Sequence, residues 1–91
     1  MKQIHMLVKG RVQGVGFRYT IQQQALEIGI NGWVKNLENG DVEVVAEGQK
    51  DDIEQFISII KQGPSRFSKV NHVNVTESTH PDNFATFEIR Y

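Results

Sequence analysis

The chain opens on an alternation: Ile4, Met6 and Val8 take turns with His5, Leu7 and Lys9, and the run stops at Gly10. A period of two predicts a first strand with one buried face. From about Phe17 to Ile28 the period lengthens, because Ile21, Ala25 and Ile28 recur at i, i+4 and i+7. That spacing predicts a helix with one apolar stripe, and Gly29 is placed to end it. "INGWVKNLENGDVEVVAEG" returns to strand-like patterning in two runs around Asn39-Gly40, a dipeptide suited to the positive φ angles of a tight hairpin turn. In "KDDIEQFISIIKQG", Ile53, Phe56, Ile57 and Ile60 mark one face of a second helix. Asp51 and Asp52 complement its positive end, and Gly63-Pro64 stops it. Val70, Val73 and Val75 suggest a fourth strand, and "FATFEIRY" a short last one after the turn at Pro81-Asp82-Asn83.

The order is therefore βαββαβ with a short C-terminal strand, the pattern of an α+β sandwich with both helices on one face of an antiparallel sheet. A ferredoxin-like arrangement follows: the first and second strands run parallel with the third between them, joined by a right-handed crossover. Residues near Gly14 and residues near Asn36 then lie at the same edge. Ninety-one residues suit a single domain spanning 1–91, with no internal repeat. With 38% hydrophobic and 23% charged residues, the composition is that of a globular chain. Ten Lys and Arg against eleven Asp and Glu leave a net charge of -1, which argues against a broad nucleic-acid-binding face. The absence of cysteine excludes disulfides, thiolate metal sites and a thiol nucleophile. "MKQIHMLVKG" contains no long apolar segment, so no signal peptide or membrane span is read and a cytoplasmic location is expected.

The candidate chemistry sits between the first strand and the first helix, in "KGRVQGVGFRYT". Gly14 and Gly16 let the backbone curl so that successive N–H groups converge on an anion. The loop feeds a helix N-terminus, which adds unpaired N–H groups and about +0.5 elementary charge. Arg18 supplies a guanidinium able to make paired hydrogen bonds to a phosphoryl group. Nucleotide motifs are missing, since there is no GxxxxGK[ST] and "GVGFRY" lacks the third glycine of GxGxxG. On local features alone, an ordinary strand-to-helix turn with an exposed arginine is an equally good reading. Arg11 reads as a surface residue.

"GRVQGVGFR" and "GINGWVKNLENGDVEV" resemble the two signature blocks of the acylphosphatase family, and "AEG", "GP" and the terminal "FEIRY" extend the resemblance along the chain. The resemblance implies a metal-independent hydrolase, without cofactor, that splits acyl phosphates into a carboxylate and inorganic phosphate. Arg18 corresponds to the family's phosphate-binding arginine and Asn36 to its water-positioning asparagine. The backbone of Gly14, Val15, Gly16, Phe17 and Arg18 corresponds to its phosphate cradle. Lys35 stands where an arginine is common, and Ser65-Arg66-Phe67 is an unusual continuation after "GP". The implied partners are a small acyl phosphate and inorganic phosphate as product and competitive inhibitor, with no nucleic acid or membrane and a monomeric chain.

That activity fits the residues. The leaving carboxylate has a conjugate acid of pKa about 4 and needs little protonation. Charge on the phosphoryl oxygens needs positioned donors, which a backbone cradle and Arg18 provide. A neutral amide at Asn36 orients water without repelling phosphate, whereas an adjacent charge pair costs about 4 kcal/mol at 4 Å and an effective dielectric near 20. Asn39 reads as a hairpin residue, Trp33 and Phe56 as packing, and Asp51, Asp52 and Glu54 as a solvated helix start. His5, His72 and His80 are dispersed and suggest no metal site. The competing class is a non-catalytic module of the same fold, binding phosphate, carbamoyl phosphate or RNA. "KGRVQGVGF" lacks the RNA-recognition pattern, and the short chain argues against a module of a larger maturation protein.

Overall fold

The computed structural model describes residues 1–14, 16–78 and 80–91. Seven elements follow one another: β1 (Lys2–Arg11), α1 (Phe17–Ile28), β2 (Asn31–Asn36), β3 (Val42–Gly48), α2 (Lys50–Lys61), β4 (Lys69–Ser78) and β5 (Phe87–Arg90). The sheet order is β4-β1-β3-β2-β5. β1 pairs antiparallel with β3 and β4, and β2 pairs antiparallel with β3, so β1 and β2 run in the same direction with β3 between them. The ferredoxin-like expectation holds. β5 joins the edge of β2 in parallel, which makes the five-stranded sheet mixed.

Alternation decides which face is buried. Ile4, Met6 and Val8 of β1, Val34 of β2, and Val42, Val44 and Ala46 of β3 enter one core with Phe17, Ile21 and Ala25 of α1 and Ile53, Phe56 and Ile60 of α2. Both helices therefore cover one face. Ile28 and Ile57 sit at the margin of this core, partly buried. Phe56 meets Phe87 edge to face at 5.9 Å, which ties α2 to β5; burying each such ring contributes roughly 1.5–3 kcal/mol. Phe56 is thus a packing residue. Asp51 and Asp52 lie in the first turn of α2 as the helix dipole favours.

Three details depart from the sequence pattern. β1 continues through Gly10 to Arg11, because a bulge at Asn71 of β4 absorbs the irregularity opposite Lys9/Gly10. The Asn39-Gly40 hairpin is not a two-residue turn: Leu37 N donates to Asp41 O at 2.9 Å, Gly40 N donates to Leu37 O at 3.2 Å, and Gly40 alone of the pair takes a positive φ, 95°. This is a longer loop closed by a left-handed glycine. Asn39 serves it as expected, its Oδ1 accepting from Asp41 N at 3.0 Å. Val75 of β4 is 40% exposed, since β4 is an edge strand that only β1 flanks.

On the opposite face, the loop before β5 is fastened by a buried carboxylate. Glu47 accepts from Gln3 Nε2 at 2.8 Å and from the backbone N–H groups of Asp82, Asn83 (3.1 Å) and Phe84 (2.8 Å). Asn31 Nδ2 adds a bond to Phe84 O at 2.9 Å. Trp33 lies half-buried under the Arg90 guanidinium, 4.8 Å from its ring centre, and packs as the sequence suggests.

Candidate functional site

β1, β2 and β5 point the same way, so their C-terminal ends arrive together at one end of the sheet. β1 ends at Arg11 and α1 starts at Phe17; β2 ends at Asn36; Ile89 and Arg90 close β5, with Tyr91 directly after. A pocket of about 280 Å³ opens there. Gly14, Gly16, Phe17, Arg18 and Asn36 all line it, joining residues that the sequence separates by up to 22 positions. Val15, the remaining residue of the expected cradle, lies outside the described residues.

Gly14 and Gly16 adopt φ of 73° and 75°, a left-handed conformation that side chains resist. A Cβ on either would meet nothing within 4 Å, so backbone conformation rather than space calls for glycine. Gly16 is also the N-cap of α1, and neither a capping side chain nor an acidic residue occupies the first turn. The leading N–H groups, with the positive end of the helix dipole, are left for an anion. Phe17 buries its ring in the core, so its contribution at the pocket is its backbone.

Arg18 is held from two sides. One guanidinium nitrogen, Nη1, donates to Arg90 O at 3.3 Å, and the guanidinium lies 4.8 Å from the Tyr91 ring centre. Gln22 of the same helix donates to Phe87 O at 3.1 Å, a second tie between α1 and β5. Among the described residues no Asp or Glu side chain lines the pocket, and Arg18 is the charged side chain that does. Asn36 presents a different feature: its Oδ1 is buried, with no hydrogen-bond partner among the described residues. A buried acceptor left unpaired costs about 1–3 kcal/mol, and this one belongs to a residue that lines the pocket.

Together these groups place backbone donors, a guanidinium and a neutral amide around one pocket, an arrangement suited to an anion. The chain matches the acylphosphatase family over residues 4–89. The chain belongs to the acylphosphatase family. It is 46% identical over its full length to an acylphosphatase of Bacillus licheniformis, covering all of that protein. The crystal structure of acylphosphatase from Bacillus subtilis superposes with a TM-score of 0.97 at 45% identity, covering all of both chains. A structure of an acylphosphatase from Coxiella burnetii does so at 0.91 and 39%, over 98% of this chain and 92% of that one. Its function is that of an acylphosphatase, an enzyme whose substrate is a small acyl phosphate. These full-length matches do not favour a non-catalytic module of the same fold.

Other sequence candidates lie elsewhere. Arg11 and Lys35 do not line the pocket, nor do Ser65, Arg66 and Phe67. Arg66 lies 5.4 Å from the Phe67 ring centre, on the far side of α2 in the sequence, and Ser65 O accepts from Ser68 N and Oγ. His5 meets Glu43 at 2.7 Å and His72 meets Asn74 at 2.7 Å. Among the described residues no three His, Asp or Glu side chains form a metal-binding group, and no helix is long and apolar enough to cross a membrane. Sequence reasoning missed Val12, Tyr19, Ile89 and Tyr91 in the pocket wall. Adjacency to Arg18 was a signal for Tyr19; the two β5-end residues had none before the parallel pairing was known.

Proposed function

We propose that Arg18 and Asn36 perform the hydrolysis, with the backbone of residues 14–18 as phosphate cradle. The observation that carries this reading is the shared pocket, which brings Arg18 of α1 together with Asn36 of β2, whose Oδ1 is unpaired among the described residues. The cradle and Arg18 bind the phosphoryl oxygens and stabilise the charge they carry as the phosphorus–oxygen bond loosens. Asn36 Oδ1 accepts a hydrogen bond from water and aims its lone pair at phosphorus. Water oxygen forms the new bond to phosphorus, the carboxylate leaves with the old bonding pair, and the water's proton passes to a phosphate oxygen. The carboxylate needs no proton and the attacking water is positioned rather than deprotonated by the protein, so the reaction requires no metal.

In this reading residues 1–91 are one catalytic domain, monomeric and cytoplasmic, with inorganic phosphate a competitive inhibitor because it occupies the substrate's cradle. Hydrolysis of a simple aryl acyl phosphate after chelation tests it, alongside Arg18→Ala. Activity is expected to survive chelation and to fall roughly 100-fold or more in Arg18→Ala, with weakened phosphate inhibition. Wild-type activity and inhibition in a folded Arg18→Ala would remove the arginine from the site.

A further inference from the structure

We propose that Gln13 is a positioning residue that sets the separation between the phosphate cradle and Asn36, an inference that rests on the site reading above. Its side-chain amide donates to Leu37 O at 2.8 Å and to Asp41 O at 2.8 Å. One residue of this pair directly follows Asn36, and the other closes the same hairpin through Leu37 N to Asp41 O at 2.9 Å. Gln13 itself directly precedes Gly14. The amide thus joins the first residue after one half of the site to the residue before the other. Among the described residues it makes the only side-chain hydrogen bonds between the loop of residues 12–16 and the hairpin of 37–41.

The chemistry of the link is specific. Two carbonyls face the side chain, and a primary amide has two N–H donors to satisfy both. Glutamate of the same length has none. The loop needs such a brace because the glycines that let it curl also leave it conformationally free. Water and phosphorus must meet at about 3–3.5 Å, and a misplacement of about 1 Å costs on the order of 100-fold in rate. Arg18 is fixed separately, by α1 and Arg90, so loss of the brace should disturb the water's aim more than phosphate affinity.

The test is Gln13→Leu and Gln13→Glu on the full chain, each checked by thermal melting, with kcat for an aryl acyl phosphate and the inhibition constant of inorganic phosphate measured together. Both variants should lose roughly 10- to 100-fold in kcat while phosphate inhibition changes less than about 3-fold. The loss should largely vanish when Gln13→Leu is made on an Asn36→Ala background, since a brace acting through Asn36 has nothing left to position. Wild-type kcat in either folded variant, kcat and phosphate affinity falling in equal proportion, or full additivity with Asn36→Ala would each overturn the proposal. Should Gln13→Leu not fold, Gln13→Glu, which keeps the chain's shape, carries the same comparison. If Asn36→Ala alone retained wild-type kcat the site reading would fail first, so the two failures are told apart.

Discussion

Replacing Glu47 with Gln alters the molecule by one atom, yet all four partners of this carboxylate are donors: Gln3 Nε2 and the N–H groups of Asp82, Asn83 and Phe84. Glutamine has one acceptor oxygen. In its better orientation the oxygen takes the position of Oε2 and keeps three bonds, while its NH₂ faces the Phe84 N–H. That bond is lost, and a donor in a side chain only 2% exposed is left against another donor. Charge-assisted bonds contribute about 1.5–3 kcal/mol and neutral ones about 0.5–1.5, so weakening three and losing one removes about 4.5–7.5 kcal/mol. Relief from holding a carboxylate out of water offsets part, leaving about 3 kcal/mol. For a chain of this size about 4–8 °C accompanies each kcal/mol, so Tm should fall by roughly 12–24 °C. Urea unfolding at constant m-value gives the free energy directly, and hydrogen exchange should rise first over residues 82–90. A Tm loss under about 4 °C in Glu47→Gln would refute the reasoning, because the loop would then be held by something other than the carboxylate.

Asn36→Ala should lower kcat on the order of 100-fold with phosphate inhibition nearly unchanged; steady-state kinetics on a folded variant with normal kcat would end the water-positioning role. Asn36→Asp should be weaker still near neutral pH and should also lose phosphate affinity, since the carboxylate faces the bound anion; tighter phosphate inhibition would contradict this. Hydrolysis in ¹⁸O-labelled water should place the label in phosphate, as attack at phosphorus requires, and label in the carboxylate would mean attack at the acyl carbon.

The elements through α2 were legible because each carries its own signal: alternation in β1, a stripe and a terminal glycine in α1, an acidic start and Gly-Pro stop in α2. β4 was harder. Val70 and Val73 are both half-buried although three positions apart, because the bulge at Asn71 inserts one residue and restores the second valine to the core face. No local pattern announces such an insertion. At the site, Arg18, Asn36 and the glycines were readable from two motifs, and the strand order brought them together. Gln13 and Glu47 were not, since their bonds join positions 24 to 44 residues apart and depend on register rather than spacing.

On the roles proposed for Arg18 and Asn36, the co-directional ends of β1, β2 and β5 should also make activity a late event in folding. The pocket takes walls from Val12 and the start of α1, from Asn36, and from Ile89 and Tyr91, and the bond from Arg18 to Arg90 spans 72 positions. Such a long-range closure costs chain entropy that is repaid only when β5 docks beside β2. A nascent or partly unfolded chain with β1, α1 and the hairpin in place would have the cradle and Asn36 but an unanchored arginine. Catalysis therefore reports completion: turnover begins when the last strand is seated.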